Sequence, residues 1–278
     1  MVLQAKDFTE AIHNLGIENA CVEVHSSFRS FGAQVDGGAD TALDAFTEAG
    51  CSVLVFAYTT GQFELLPPEG AQQRISRNAW GDYDHFQSES VPSPRIYTPD
   101  CTDIMREDLG LIPYTLVNRP GRARGNHPLN SFAAIGPCAE TLVAEQTAED
   151  VFAPLRRLCE LDGYVLLMGV SLNRATILHY AENVAGRAPF IRWAKNAQGE
   201  TIPCRIGSCS SGFPKLDPIA APIERQVTVG NSLWRCFPAR ALVALCAAEM
   251  RANPAITRCG NPACPRCADA IAGGPIGD

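Results

Sequence analysis

The chain has 278 residues, 46% hydrophobic and 19% charged, too apolar for disorder and long enough for one large domain or two small ones. Lys and Arg number 23 against 30 Asp and Glu, a net charge of −7, which argues against a nucleic-acid partner, whose phosphates call for basic patches. No apolar run approaches the ~20 residues of a transmembrane helix, and residues 1–7 lack the apolar core of a signal peptide, so the expected location is the cytoplasm.

Residues 7–15 are expected to be helical, with Phe8, Ile12 and Leu15 at helical spacing and Asp7 or Thr9 as the cap. Residues 20–27 read as a strand. Gly37-Gly38 then breaks the chain before a second helix, whose apolar face carries Ala39, Ala42, Leu43, Ala45 and Phe46. Residues 51–58 read as a short buried strand. From 67 to 99 the pattern dissolves into Pro, Gly, Ser and Gln, with Trp80, Tyr83, His85, Phe86 and Tyr97 interspersed. A stretch of that length in a compact domain reads as an ordered loop on the substrate side.

Order resumes with a strand over 131–136, helices over 138–145 and 152–161, a fully buried strand over 163–172, and a helix over 176–184 that Thr176 can cap. Asn196-Ala197-Gln198-Gly199 has the composition of a hairpin turn between 189–193 and 201–206. A strand over 227–236 and an Ala- and Leu-rich helix over 239–251, stopped by Pro254, follow. Helices alternate with strands throughout, so the class is α/β. The expected architecture is a single domain, residues 1–278, with a central, mostly buried sheet flanked by helices and a Cys-rich tail at 255–278.

Twelve cysteines in a reducing compartment should be thiols or metal ligands rather than disulfides. Cys21, Cys51, Cys159 and Cys246 sit in apolar surroundings and read as small buried hydrophobes. Cys259-x4-Cys264-x2-Cys267 differs, with three close thiols on knuckle-like turns. A structural zinc takes four N or S ligands in a tetrahedron, so Cys209 or Cys204 would have to complete such a site from a distance. Free thiols are the alternative. A zinc held by four thiolates would pin the tail and leave no open position for catalysis.

Three further segments carry chemistry. The first is Val24-His25-Ser26-Ser27-Phe28-Arg29-Ser30-Phe31-Gly32, followed by Gly37-Gly38-Ala39. The second runs from Arg119-Pro120-Gly121-Arg122-Ala123-Arg124-Gly125-Asn126-His127-Pro128 through Leu129-Asn130-Ser131-Phe132-Ala133-Ala134-Ile135-Gly136. The third is Leu166-Leu167-Met168-Gly169-Val170 leading into Thr176-Ile177-Leu178-His179-Tyr180-Ala181-Glu182. In this order and spacing they resemble the aminoglycoside 3-N-acetyltransferase family, over roughly residues 7–240.

That resemblance implies transfer of an acetyl group from acetyl-CoA to an amine, on an α/β fold distinct from the GCN5-related acetyltransferases. The acceptor it implies is the 3-amino group of a polycationic aminoglycoside, which makes antibiotic resistance the expected role. The same transfer to a non-antibiotic biosynthetic amine is the near alternative, and a catalytically silent, zinc-stabilised small-molecule-binding protein the distant one. The sequence departs from the family's pattern at Arg124-Gly125, where the family has Arg-Ser. It departs again at Cys51-Ser52-Val53-Leu54-Val55 and at Ala57-Tyr58-Thr59, so the reaction type follows more firmly than the acceptor.

Acetyl transfer to an amine requires a base for its proton, a donor for the carbonyl oxygen as it gains charge, and room for the leaving thiolate. His179, in the family's motif, is the expected base, because an imidazole titrates near working pH. Glu182, three residues on and so on the same helical face, can hold its tautomer; Asp217 and Glu224 are the other candidate partners. The expected acyl-CoA side comprises Ser26, Ser27, Arg29, Arg124, His127, Ser131 and Thr176, with Arg119 and Arg122 as further cations of the same loop. The carboxylates Asp82, Asp84, Glu89, Asp100, Asp103, Glu107 and Asp108 are placed to steer a polycation or else to form a solvated acidic surface. Covalent transfer through Cys209 is the mechanistic competitor.

Overall fold

The computed structural model describes residues 2–59, 61–66, 68 and 95–273. Most of the expected substrate-side loop therefore lies outside the described residues, among them Trp80, Asp82, Tyr83, Asp84, His85, Phe86 and Glu89.

The strands in chain order are β1 (Val2–Leu3), β2 (Cys21–Ser26), β3 (Gln34–Val35), β4 (Ser52–Phe56), β5 (Ala123–Arg124), β6 (Phe132–Ile135), β7 (Tyr164–Met168), β8 (Phe190–Lys195), β9 (Thr201–Ile206), β10 (Arg225–Val229) and β11 (Ser232–Pro238). Seven of them form the central sheet in the order β10-β11-β7-β2-β4-β6-β5. β7, β2 and β4 run parallel at its centre, and the outer pairings are antiparallel. The hairpin β8–β9 stands apart as its own two-stranded sheet, with Asn196 Oδ1 accepting the Gln198 and Glu200 amides in its turn.

Side chains alternate across a strand, and the central strands divide accordingly. Val22, Val24, Leu166 and Met168 face one core with helices Ala5–Leu15 and Gly38–Glu48. Cys21, Val165 and Leu167 face the other, with helices Ala153–Glu160, Ile177–Val184 and Ala239–Ala252. The expected apolar face of the second helix, Ala39 through Phe46, is buried as a whole. The first helix begins earlier than its pattern suggests, at Ala5. Gln4 is its N-cap, and Asp7, three residues in, accepts the Gln4 amide at 2.7 Å, as in a capping box.

Two local expectations are corrected. The single strand over 227–236 is a hairpin, because Gly230 at φ 58° opens a two-residue turn with Asn231. Thr176 precedes its helix without capping it through its side chain. Cys21, Cys51, Cys159 and Cys246 are buried as expected, and burial pushes the Cys159 and Cys246 thiols up to about 12.

On the first core face Trp234 is fully buried and stacks on Phe46 at 6.1 Å, with Phe8 at 6.0 Å and Phe31 at 6.4 Å. Its indole N–H finds no hydrogen-bond partner among the described residues, so its contribution there comes from packing. Trp234→Ala is expected to cost about 3–5 kcal/mol of unfolding free energy, read from denaturant titration. Trp234→Phe, which removes the unsatisfied donor and keeps an aromatic ring, should cost clearly less.

Candidate active site

The parallel strands β2, β4 and β7 end on the same side of the sheet, where open α/β sheets gather ligands. A cavity of about 1130 Å³ opens there. Ser26, Ser27 and Arg29 enter it from the end of β2, Phe56 and Tyr58 from β4, and Val170, Arg174 and Thr176 from the segment after β7. Glu107 and Asp108 reach the same space from a short helix, Arg106–Leu109. The cavity thus carries both cationic and anionic side chains.

His179, in the first turn of Ile177–Val184, lines this cavity. Its Nδ1 lies 2.7 Å from Oε2 of Glu182. An ionised carboxylate only accepts, so Nδ1 is the donor of this pair, and in the neutral ring Nε2 holds the lone pair. Glu182 is only 5% exposed and is held from three sides. Arg187 Nη1 donates to Oε1 at 2.6 Å, and Ser208 Oγ donates to the Oε2 that also takes His179. Arg187 in turn donates to Thr257 Oγ1 at 2.8 Å and to the Pro254 carbonyl at 2.7 Å. The imidazole is wedged as well: Phe213 meets it edge-on with ring centroids 4.8 Å apart. Gly207 passes so close that a Cβ there would lie 2.7 Å from His179 Cδ2, so no other residue fits without moving the ring.

Other groups of the cavity are poised rather than saturated. Ser26 Oγ is buried without a hydrogen-bond partner among the described residues, although Ser27 N–H is spent on the Met168 carbonyl at 2.9 Å. Tyr58 donates to Asp108 Oδ2 at 2.5 Å, and burial, reinforced by that carboxylate, pushes its phenol up, so it stays a donor. The Thr176 amide points at His25 Nε2, 3.3 Å away. His25 also lines the cavity.

Of the expected carboxylate partners, only Glu182 reaches the imidazole. Asp217 and Glu224 both bind Arg235, at 2.8 and 2.7 Å, and neither lines the cavity. Cys209, the nucleophile of the competing covalent mechanism, does not line it either, although Ser208 and Ser210 on either side do. Its Sγ and those of Cys259, Cys264 and Cys267 lie within 4.8 Å of one another. Cys204 is buried in β9 outside that cluster. Asp103 pairs with Arg95, whose guanidinium holds its carboxyl below the usual range. Arg187, Ser208, Thr257, Tyr58 and Arg174 carry no signal in the sequence.

A family model described as aminoglycoside 3-N-acetyltransferase matches residues 24–251. The chain belongs to that family. Aminoglycoside N(3)-acetyltransferase III from Salmonella sp is 33% identical over 193 residues, 68% of this chain and 63% of that protein; the chain thus spans under two thirds of that relative. Among solved structures, a mutant of the aminoglycoside acetyltransferase AAC(3)-IVa in complex with a gentamicin superposes with a TM-score of 0.73 at 22% identity, covering 98% of both chains. AAC-IIIb, solved as a binary complex with CoASH, gives a TM-score of 0.71 at 22% identity, covering 95% of this chain and all of that one. These superpositions establish the shared fold.

In the second family segment Asn130 and Phe132 line the cavity, while the side chains expected on the acyl-CoA side are engaged within the fold. Arg119 pairs with Asp40 and Asp44, and Arg122 caps the carbonyls of Val117, Asp100 and Cys101. Arg124 is buried and saturated by the carbonyls of Ala57, Cys101 and Asp103 and by Ser131 Oγ. Ser131 itself donates to Ala57 O at 2.9 Å. None of these side chains lines the cavity, nor does His127. His127 is fully buried: Nδ1 accepts the Leu129 and Asn130 amides, and Nε2 donates to the Arg205 carbonyl at 2.8 Å. Burial lowers its pKa from 6.5 to about 4.

The unfolded chain therefore protonates this imidazole near its ordinary value, while the folded chain resists until about 4. Its contribution to stability is present above 6.5 and is lost as pH falls toward 4. His127→Gln is expected to be less stable at pH 8 and to lose less of its remaining stability across that window than the wild type. Urea midpoints measured at both ends of the window check this.

Proposed function

We propose that this chain is an acetyl-CoA-dependent N-acetyltransferase that acetylates the 3-amino group of aminoglycosides by direct transfer, with His179 as general base. The observation that carries the reading is a histidine on the cavity wall whose tautomer is fixed by a buried, triply held carboxylate. Family membership and the two ligand-bound relatives support the cosubstrate and the acceptor class. On this reading residues 1–278 act as one acetyltransferase domain, located in the cytoplasm; among the described residues no helix is long and apolar enough to cross a membrane.

The chain's own groups match the demands of the reaction. Nε2 of His179 accepts the proton that the attacking amine must shed, and Nδ1–H passes part of the resulting charge to Glu182. Arg187 shares that carboxylate, so Glu182 orients the ring as much as it stabilises the imidazolium. Ser26 Oγ, buried at the end of β2 without a partner among the described residues, is an O–H available to a carbonyl oxygen gaining charge. Arg29 and Arg174 line the cavity and suit the phosphates of CoA. Glu107 and Asp108 suit the ammonium groups of the acceptor. Zinc on Cys209, Cys259, Cys264 and Cys267 is the structural metal of this reading, since four thiolates match its preferred donor set.

Mass spectrometry of an aminoglycoside panel, incubated with protein and acetyl-CoA, is expected to show a single added acetyl group on a subset of the drugs. His179→Ala should lower kcat by about 10²–10⁴ while CoA binding, measured by calorimetry, is retained. Unmodified drugs with intact CoA binding would point instead to another amine, and full turnover by His179→Ala would remove the base from the mechanism.

A further inference from the structure

The four clustered thiols come from two segments far apart in sequence: the first touches the His179–Glu182 pair directly, and the second reaches it through Arg187. Cys209 lies in the first, between Gly207 and Phe213. In that segment Gly207 presses on the imidazole, Ser208 donates to Glu182 Oε2 at 3.1 Å, and Phe213 packs edge-on against the ring. Cys259, Cys264 and Cys267 lie in the second, which begins at Thr257. Thr257 accepts from the same Arg187 nitrogen that donates to Glu182 Oε1. The thiol cluster is therefore the point where both supports of one carboxylate meet.

The cluster has the form of a metal site. Its Sγ atoms lie within 4.8 Å of one another without forming disulfides, and a tetrahedron of Zn–S bonds of ~2.3 Å sets S···S at ~3.8 Å. The Cys259 amide already donates to Cys267 Sγ at 3.3 Å, a backbone contact that favours a thiolate acceptor. The two segments also meet where Lys215 Nζ donates to the Arg258 carbonyl at 2.7 Å, where Gly212 approaches the Thr257 carbonyl, and where Phe213 and Ile256 share the core. With all four positions filled by sulfur, the ion has no vacancy for substrate.

We propose that zinc on Cys209, Cys259, Cys264 and Cys267 is a positioning element for catalysis: it clamps the Ser208 and Thr257 segments together and so fixes Glu182 against His179. This rests on the zinc assignment made above and assigns that zinc a task at the cavity. Ser208 is the positioning residue through which the clamp acts.

The test begins with the metal content of protein purified without chelator, and one zinc per chain is expected. Chelation should then lower kcat on the order of 10–100-fold, with KM for acetyl-CoA changed less than about twofold. The Nδ1–H proton of His179, observed by NMR in 15N-histidine-labelled protein, should broaden or shift upfield as its carboxylate partner loosens. That signal needs no acceptor, so it remains readable if aminoglycosides are not the substrates. Ser208→Ala, which leaves all four thiols in place, should keep the zinc, reproduce the kcat loss, and respond little further to chelation.

The outcomes separate. Protein without metal, whose His179 signal is indifferent to added zinc, overturns the zinc assignment and the clamp with it. Zinc that is bound but can be removed with kcat and the His179 signal unchanged overturns the clamp alone. Unfolding on chelation would leave Ser208→Ala to decide, and full activity of that zinc-loaded variant overturns the proposal.

Discussion

A carboxylate taken out of water has to be repaid in hydrogen bonds, and Glu182 meets that condition with donors from three directions. His179 lies on its own helix, Arg187 just beyond the helix end, and Ser208 on the loop after β9. Removing one donor leaves a buried charge partly unpaired, which is the costly half of the asymmetry in hydrogen-bond energetics. The geometry of the histidine is therefore coupled to segments up to Thr257. Those segments gain order from the same bonds, so the rigidity of the site and the stability of the surrounding fold are one property.

The sheet determines what that histidine faces. Three parallel central strands end together, and an antiparallel hairpin closes one edge while β6 and β5 close the other. The cavity above them mixes Arg29 and Arg174 with Glu107 and Asp108, so groups of both signs face one space. Net charge says little about such a site; a chain of −7 still gathers guanidinium groups at its cavity.

The sequence is most legible where local spacing decides. His179 and Glu182 are three residues apart on a helix, so their contact follows from helical geometry alone, and the buried face of Ala39 through Phe46 follows from the same period. The Arg119–Ser131 stretch is ambiguous because its composition, rich in Arg and Gly, is equally that of an anion loop and of a buried bracing loop. What decides is whether backbone carbonyls saturate the guanidinium, as Ala57, Cys101 and Asp103 do for Arg124, and those contacts span 21 or more residues. The choice of Cys209 over Cys204 as a fourth thiol is undecidable from sequence for a related reason. Five residues separate them, yet Cys204 is locked into β9 and only Cys209 lies on the loop that meets the tail. The hairpin over 225–238 escapes a pattern reading because the turn chemistry of Gly230 lies inside an otherwise strand-like run.

β2 carries one further constraint, on the second face of the sheet. Glu23 is fully buried, and neither of its carboxylate oxygens has a hydrogen bond of good geometry, although Oε1 lies 3.0 Å from His25 Nε2. The Thr176 amide approaches that same nitrogen at 3.3 Å. One ring nitrogen cannot serve both: Nε2 either donates to Glu23 or accepts from Thr176. Thr176 directly precedes the helix that carries His179, and its carbonyl accepts the His179 amide at 2.9 Å. A histidine in the family's first motif thus contacts the start of the helix bearing its third. That is a physical reason for two segments about 150 residues apart to occur together in one site.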